Sequence, residues 1–147
     1  LSIFGDSQIG TRTIIELIGR EYYDNFVEIN FITEVEAYRI FEGNLDADTI
    51  IQNLTAFKMQ QMEPGKTLVF FDEIQECPNA RAAIKFLVED GRFDYIESGS
   101  VLGVKYHDVK SYPVGFEEIY YMYPMSFEEF ALANGVQAST FSLLKEC

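Results

Sequence analysis

The chain has 147 residues, 48% of them hydrophobic, and 24 Asp and Glu against 11 Lys and Arg leave it a net charge of −13. That length fits one domain burying roughly two-thirds of the surface its unfolded form would expose, and the negative balance makes nucleic acid an unlikely partner of this piece, since the surface as a whole repels a phosphate backbone. Cys77 and Cys147 cannot build a disulfide framework or a four-ligand metal site, no run of about 20 apolar residues could cross a bilayer, and Leu1–Gly5 lack the charged start of a signal peptide, so no membrane partner and a reducing, cytoplasmic location are expected.

In chain order, Leu1 to Gly5 is a short apolar run ending in Gly, and from about Thr11 to Tyr22 the apolar Ile14, Ile15, Leu17 and Ile18 recur at helical spacing. Phe26 to Phe31 is β-branched and aromatic enough for a second strand, and Asp46 or Asp48 can cap a helix carrying Ile50, Ile51, Leu54 and Phe57. Pro64-Gly65 marks a turn. Thr67 to Phe71 reads as a strand buried on both faces, with Asp72 and Glu73 at its carboxyl end. Pro78-Asn79 opens a helix with Ala82, Ala83, Phe86 and Leu87 on one face, and Phe93 to Ile96 forms another strand closed by Ser98-Gly99-Ser100. From about Glu117 to Tyr123 a fifth strand is expected, then a helix with Ser126 as N-cap and Glu129 three residues on. The aromatics Tyr120, Tyr121, Tyr123, Phe127 and Phe130 read as core, and His107, with no second His or nearby Cys, as a surface residue. Alternation of strands and helices, without internal repeat or low-complexity linker, predicts a doubly wound α/β sheet.

In an open parallel sheet ligands sit beyond the carboxyl ends of the strands, the edge that gathers Gly5 to Gly10, Asp72-Glu73, Ser98 and Ser100. A phosphate-binding loop, G-x-x-x-x-G-K-[ST], uses glycines so that backbone N–H groups surround phosphate oxygens, a Lys for the β and γ phosphates and a hydroxyl for Mg²⁺. Gly5 and Gly10 have that separation, between a strand and a helix, but Thr11 and Arg12 follow where Lys and Ser/Thr belong. A loop with one extra residue would let Arg12 and Thr13 stand in for that pair, although Arg does not replace Lys freely at a tight site. Gly65-Lys66-Thr67 is a decoy, because position 60 is Gln rather than Gly and the triplet leads into a strand. Asp72 and Glu73 fit an ATPase's acidic pair, the first holding Mg²⁺ through water and the second polarising the attacking water, or else are solvated acids at a strand end. Ser98 and Ser100 either bring a hydroxyl near the γ phosphate or simply form a turn.

Four stretches carry a resemblance: Phe41 to Asp46, Pro64 to Pro78, Ser98 to Tyr106 and Tyr123 to Phe130. Together they resemble the prokaryotic AAA-type P-loop ATPases that usually carry a second domain after the ATPase core. The resemblance implies a three-layer, doubly wound, mostly parallel sheet, ATP and Mg²⁺ as cofactors, and ATP hydrolysis as the family reaction. It places Asp72 and Glu73 at the Walker B acids, Ser98 or Ser100 at the sensor, and Gly5 to Thr13 at the Walker A loop. Aligned without a gap it puts Thr11 at the lysine position and Arg12 at the Ser/Thr position, with Thr13 the alternative metal-side hydroxyl. It also implies a single core domain over residues 1–147, within a longer protein whose carboxyl-terminal domain responds to nucleotide, and an ability to form homo-oligomers. Two other readings stand beside this one. In the first the chain is an inactive pseudo-ATPase that keeps the fold as a protein-interaction scaffold; in the second it is an acidic module that recruits a basic protein.

Overall fold

The structure, a computed structural model, describes residues 1–5, 10–100 and 118–135. Over these residues the strands are β1 (Ser2–Gly5), β2 (Asn25–Asn30), β3 (Thr67–Asp72), β4 (Asp94–Ser100) and β5 (Ile119–Met122). They form one sheet in the order β2-β3-β4-β1-β5, and every pairing is parallel. The helices are α1 (Thr11–Tyr22), α2 (Ala47–Lys58), α3 (Pro78–Asp90) and α4 (Phe127–Ala133), with 3₁₀ turns at Val35–Phe41 and Ile74–Glu76. The chain is therefore α/β with the doubly wound arrangement expected of a P-loop ATPase core.

Alternation along β3 explains its apolar run. Val69 and Phe71 face a core built with α2, α3 and the first 3₁₀ turn, while Leu68 and Phe70 face Ile15 of α1 on the opposite side. The first core is the larger and rests on Phe31, Phe41 and Phe71, whose ring centroids lie 5.7–5.9 Å apart. The path of the chain then fixes where a ligand can sit. From β1 it leaves towards β2, and from β4 it crosses β1 to reach β5 on the other side. Because every pairing is parallel, the carboxyl ends of all the strands lie along one edge, where ligands of such sheets bind.

Local signals set most boundaries. Of the two capping candidates Asp46 is the one used, its Oδ1 accepting from Thr49 N–H at 2.9 Å and its Oδ2 from the Thr49 hydroxyl at 2.7 Å. These bonds, backbone first, hold the Asp46 carboxyl below its usual range. A depressed folded-state value contributes stability that is present at neutral pH and lost as pH falls through it. Asp46→Ala is accordingly expected to lower the Tm at pH 7, with a narrower gap to the parent at an acid pH, where the carboxyl has begun to take up its proton. Thermal unfolding followed by circular dichroism at the two pH values checks this, and an equal gap at both would mean that the charge contributes nothing. Helix α4 begins with the anticipated capping box, Ser126 N–H donating to Glu129 Oε2 at 2.8 Å and Glu129 N–H to Ser126 Oγ at 3.2 Å.

Three expectations need correction. Helix α3 buries Ala80, Ala83, Ile84 and Leu87, an i, i+3, i+4, i+7 stripe, whereas Ala82 and Phe86 are exposed. Ser98-Gly99-Ser100 is strand rather than turn, because β1 continues alongside it with Phe4 opposite Gly99 and Gly5 opposite Ser100. Tyr120, Tyr121, Tyr123, Phe127 and Phe130 are 52–77% exposed rather than core. The reason lies in their placement: among the described residues β5 pairs only with β1 at the sheet margin, and α4 buries only Ala131. In α1, similarly, Ile15 is buried but Ile14 and Leu17 are exposed. His107, Cys147 and the loop positions 6–9 lie outside the described residues.

Candidate functional site

The carboxyl ends of four strands, β1 to β4, bring the sequence-derived site residues to one edge of the sheet. A cavity of about 500 Å³ opens there, lined by Gly5 from the end of β1, Gly10 to Thr13 from the start of α1, Asn30 and Ile32 after β2, Asp72 and Glu73 after β3, and Ser98 to Ser100 on β4. That volume is in the range of small-molecule sites. Gly10 caps α1 with φ 93°, a left-handed conformation that costs glycine little. The free N–H groups of the first turn of α1 thus open beside the carboxylates of β3. Gly65-Lys66-Thr67 lies at the amino end of β3, the opposite edge, and Lys66 pairs there with Glu63 at 3.2 Å and Asp24 at 3.8 Å. The decoy reading holds.

Asp72 is gripped on both oxygens. The Ser98 hydroxyl donates to Oδ1 at 2.5 Å and Asn30 Nδ2 donates to Oδ2 at 2.8 Å. The Asn30 amide has a fixed sense, because its own oxygen accepts from Ile32 N–H at 3.0 Å and Thr33 N–H at 3.1 Å, leaving the NH₂ to face the carboxylate. Sequence reasoning missed Asn30. Its position at the last residue of β2, opposite Asp72 in the register of the pair, was the available signal. Ser98, 5% exposed, bonds a carboxylate rather than standing free to meet a phosphate, while Ser100 lines the cavity at the end of β4.

Glu73 follows with φ 57° and ψ 46°, in the left-handed region although it is not glycine. Such a conformation costs about 1–2 kcal/mol and turns the side chain off the line of the strand. Its Oε2 accepts from Gln75 Nε2 at 2.5 Å.

The loop side departs from the standard pattern. Thr11, at the gapless lysine position, donates its hydroxyl to Met122 Sδ of β5 at 3.2 Å. Arg12 is 60% exposed and reaches to β2, where Nη2 donates to Glu28 Oε2 at 3.1 Å; Nε lies 2.8 Å from Oε1 as an ion pair off the hydrogen-bond line, and 3.4 Å from Glu16. The Glu28 bond raises the Arg12 guanidinium above its usual value, and burial raises the Glu28 carboxyl against the pull of Arg12. Arg12 is the one cationic side chain among the described residues lining the cavity, and its charge is turned towards Glu28. Thr13 lines the cavity beside it.

The donor set suits a magnesium–nucleotide more than a protein-caged metal. Among the described residues there is no group of three or more His, Cys, Asp or Glu able to hold a metal ion, whereas Mg²⁺ with a nucleotide usually needs one or two carboxylates, phosphate oxygens and water. Asp72, oriented by Ser98 and Asn30, with Thr11 and Thr13 across the cavity, meets that need. Among the described residues no helix is long and apolar enough to cross a membrane.

A family model described as an AAA domain matches residues 1–131. A comparison with curated proteins found no match.

Proposed function

The chain belongs to the AAA domain family, and from that premise we propose that it is an ATP-binding core that hydrolyses ATP to ADP and phosphate and passes the nucleotide state to a further domain or protein partner. The observation that carries this reading is the convergence of the α1 amino terminus, Asp72 and Glu73 on one cavity.

In this reading the first-turn N–H groups of α1 and the Thr13 hydroxyl receive phosphate oxygens, and the Thr11 hydroxyl would join them by turning away from Met122 Sδ. Mg²⁺, when bound, supplies positive charge against the β and γ phosphates. Asp72, its rotamer held by Ser98 and Asn30, would hold that ion through water. Glu73 accepts a proton from the attacking water as that water's oxygen bonds to the γ phosphorus and the bond to the β-phosphate oxygen breaks. Arg12 would supply the charge of the absent lysine by leaving Glu28, which unpairs a partly buried carboxylate, so a charge-assisted phosphate contact has to offset that loss.

A second reading, the pseudo-ATPase scaffold, is favoured by the same Arg12–Glu28 pair taken as a resting place that phosphate never relieves. Calorimetry with Mg²⁺ and ATP or ADP separates the two, run on the native chain and on a Thr11→Lys, Arg12→Thr variant that restores the loop. Binding by the native chain is the expected result. Binding by the repaired variant alone would assign the native chain a structural or regulatory role and sink the hydrolytic reading.

A further inference from the structure

We infer that Gln75 is a positioning residue whose side-chain amide holds the Glu73 carboxylate in place on the cavity wall. The inference rests on the ATPase reading above and concerns how its proton acceptor is kept where water must meet it.

A glutamate at the end of a strand has several rotatable bonds, and its carboxylate samples many positions unless something holds it. Glu73 leaves β3 in a left-handed conformation, so the strand no longer dictates where its side chain points. Gln75, two residues on, reaches back and donates Nε2–H to Glu73 Oε2 at 2.5 Å. The turn that carries Gln75 is itself anchored. Ile74 is fully buried, Glu76 N–H donates to Glu73 O at 3.0 Å, and Cys77 N–H donates to Ile74 O at 3.1 Å.

The other end of the amide is fixed by β4. A Cβ placed on Gly99 would lie 2.6 Å from Gln75 Oε1, closer than real Cβ atoms come to anything. Gly99 has no positive φ, in contrast to Gly10, Gly43, Gly65, Gly91 and Gly135, so the backbone there does not call for glycine. Space for the Gln75 amide does. Gln75 Oε1 is buried and has no hydrogen-bond partner among the described residues. Turning the amide over would set oxygen against the carboxylate, acceptor against acceptor, so the observed sense is the one that binds Glu73. A glutamine serving only as surface would not be held with a buried, unsatisfied oxygen against a neighbouring backbone. The geometry assigns it to Glu73, with Gly99 as the space that admits it.

The test is a double-mutant cycle on the full chain with Gln75→Ala, Gly99→Ala and the pair, read by steady-state hydrolysis of Mg²⁺–ATP and by thermal unfolding without nucleotide. Gln75→Ala should lower kcat by about 100-fold, as for a reacting group displaced by roughly 1 Å, with KM for ATP within about twofold of the parent. Gly99→Ala should lower kcat in the same way, because its methyl displaces the amide, and lower the Tm by roughly 3–6 °C. In the Gln75→Ala background the next nearest atoms to the same methyl are Phe4 ring carbons at 3.4 and 3.5 Å, ordinary contacts, so Gly99→Ala should add little to either loss. A kcat for Gln75→Ala within about twofold of the parent, a KM that rises in step with the lost kcat, or additive effects of the two substitutions would overturn the inference. Absence of turnover in the parent sinks the ATPase reading and this role with it; the unfolding cycle then still reports whether the Gln75–Gly99 contact exists, as packing alone.

Discussion

Glu73→Gln is expected to lower ATP turnover by about 10²–10⁴-fold while leaving nucleotide affinity within about twofold. The substitution keeps the size of the side chain and an oxygen able to accept from Gln75, so the hydrogen bond now made by Oε2 can persist. What it removes is a group that can take a proton from water. Asp72 keeps both of its partners, Ser98 and Asn30, because neither touches Glu73, and the metal side of the site should therefore be unchanged. Single-turnover hydrolysis beside calorimetry with Mg²⁺–ATP separates the effects. Retained turnover would mean that Glu73 is not the proton acceptor, and a collapse of affinity would mean that its carboxylate holds the metal instead of Asp72.

Phe71→Ala should cost about 3–5 kcal/mol of stability, measured by urea unfolding. Phe71 is fully buried in the central region of the sheet and meets the rings of Phe31, Phe41 and Tyr95 at centroid distances of 5.9, 5.7 and 6.2 Å. Those neighbours are anchored just after β2, in the first 3₁₀ turn and in β4, so they cannot close the space left by the ring without moving the backbone. Phe86→Ala supplies the contrast. The ring is 46% exposed on the outer face of α3, and its removal should change stability by only about 0.5 kcal/mol. A loss below about 1 kcal/mol for Phe71→Ala would show that the aromatic cluster collapses onto the gap and that the sheet is softer than its packing implies.

The acidic pair was legible because two local signals coincide there. Four apolar residues in a row, Leu68 to Phe71, call for a strand covered on both faces, and a strand so covered in a parallel sheet delivers its next residues to the ligand edge. The glycine pair was legible for a similar reason, since Gly10 takes the left-handed conformation that a strand-to-helix turn demands. Caps were legible as well: Asp46 and the Ser126–Glu129 box act within three residues of themselves.

The partners of the acids were not legible. Asn30 meets Asp72 across 42 residues of chain and Ser98 meets it across 26, so only the register of β2, β3 and β4 brings them together. Arg12 and Glu28 are 16 residues apart, and no spacing rule says that an arginine in the first turn of α1 should turn to β2. The role of Gly99 is of the same kind, visible only once the Gln75 amide stands against it. Aromatic content misled in the last elements, because hydrophobic side chains are buried by what packs on them, and among the described residues β5 is at the margin of the sheet and α4 buries only Ala131.

By itself, then, the sequence determined the α/β alternation, the strand β3 buried on both faces and which edge of the sheet would gather Gly10, Asp72, Glu73 and Ser100, all properties of residues close together in the chain that depend on local sterics, capping and periodicity. Tertiary structure alone decided what each acid is bonded to, where the Arg12 charge rests and which apolar faces are covered, because those depend on strand order and register, and parallel strands are joined by long crossovers that bring distant residues into contact.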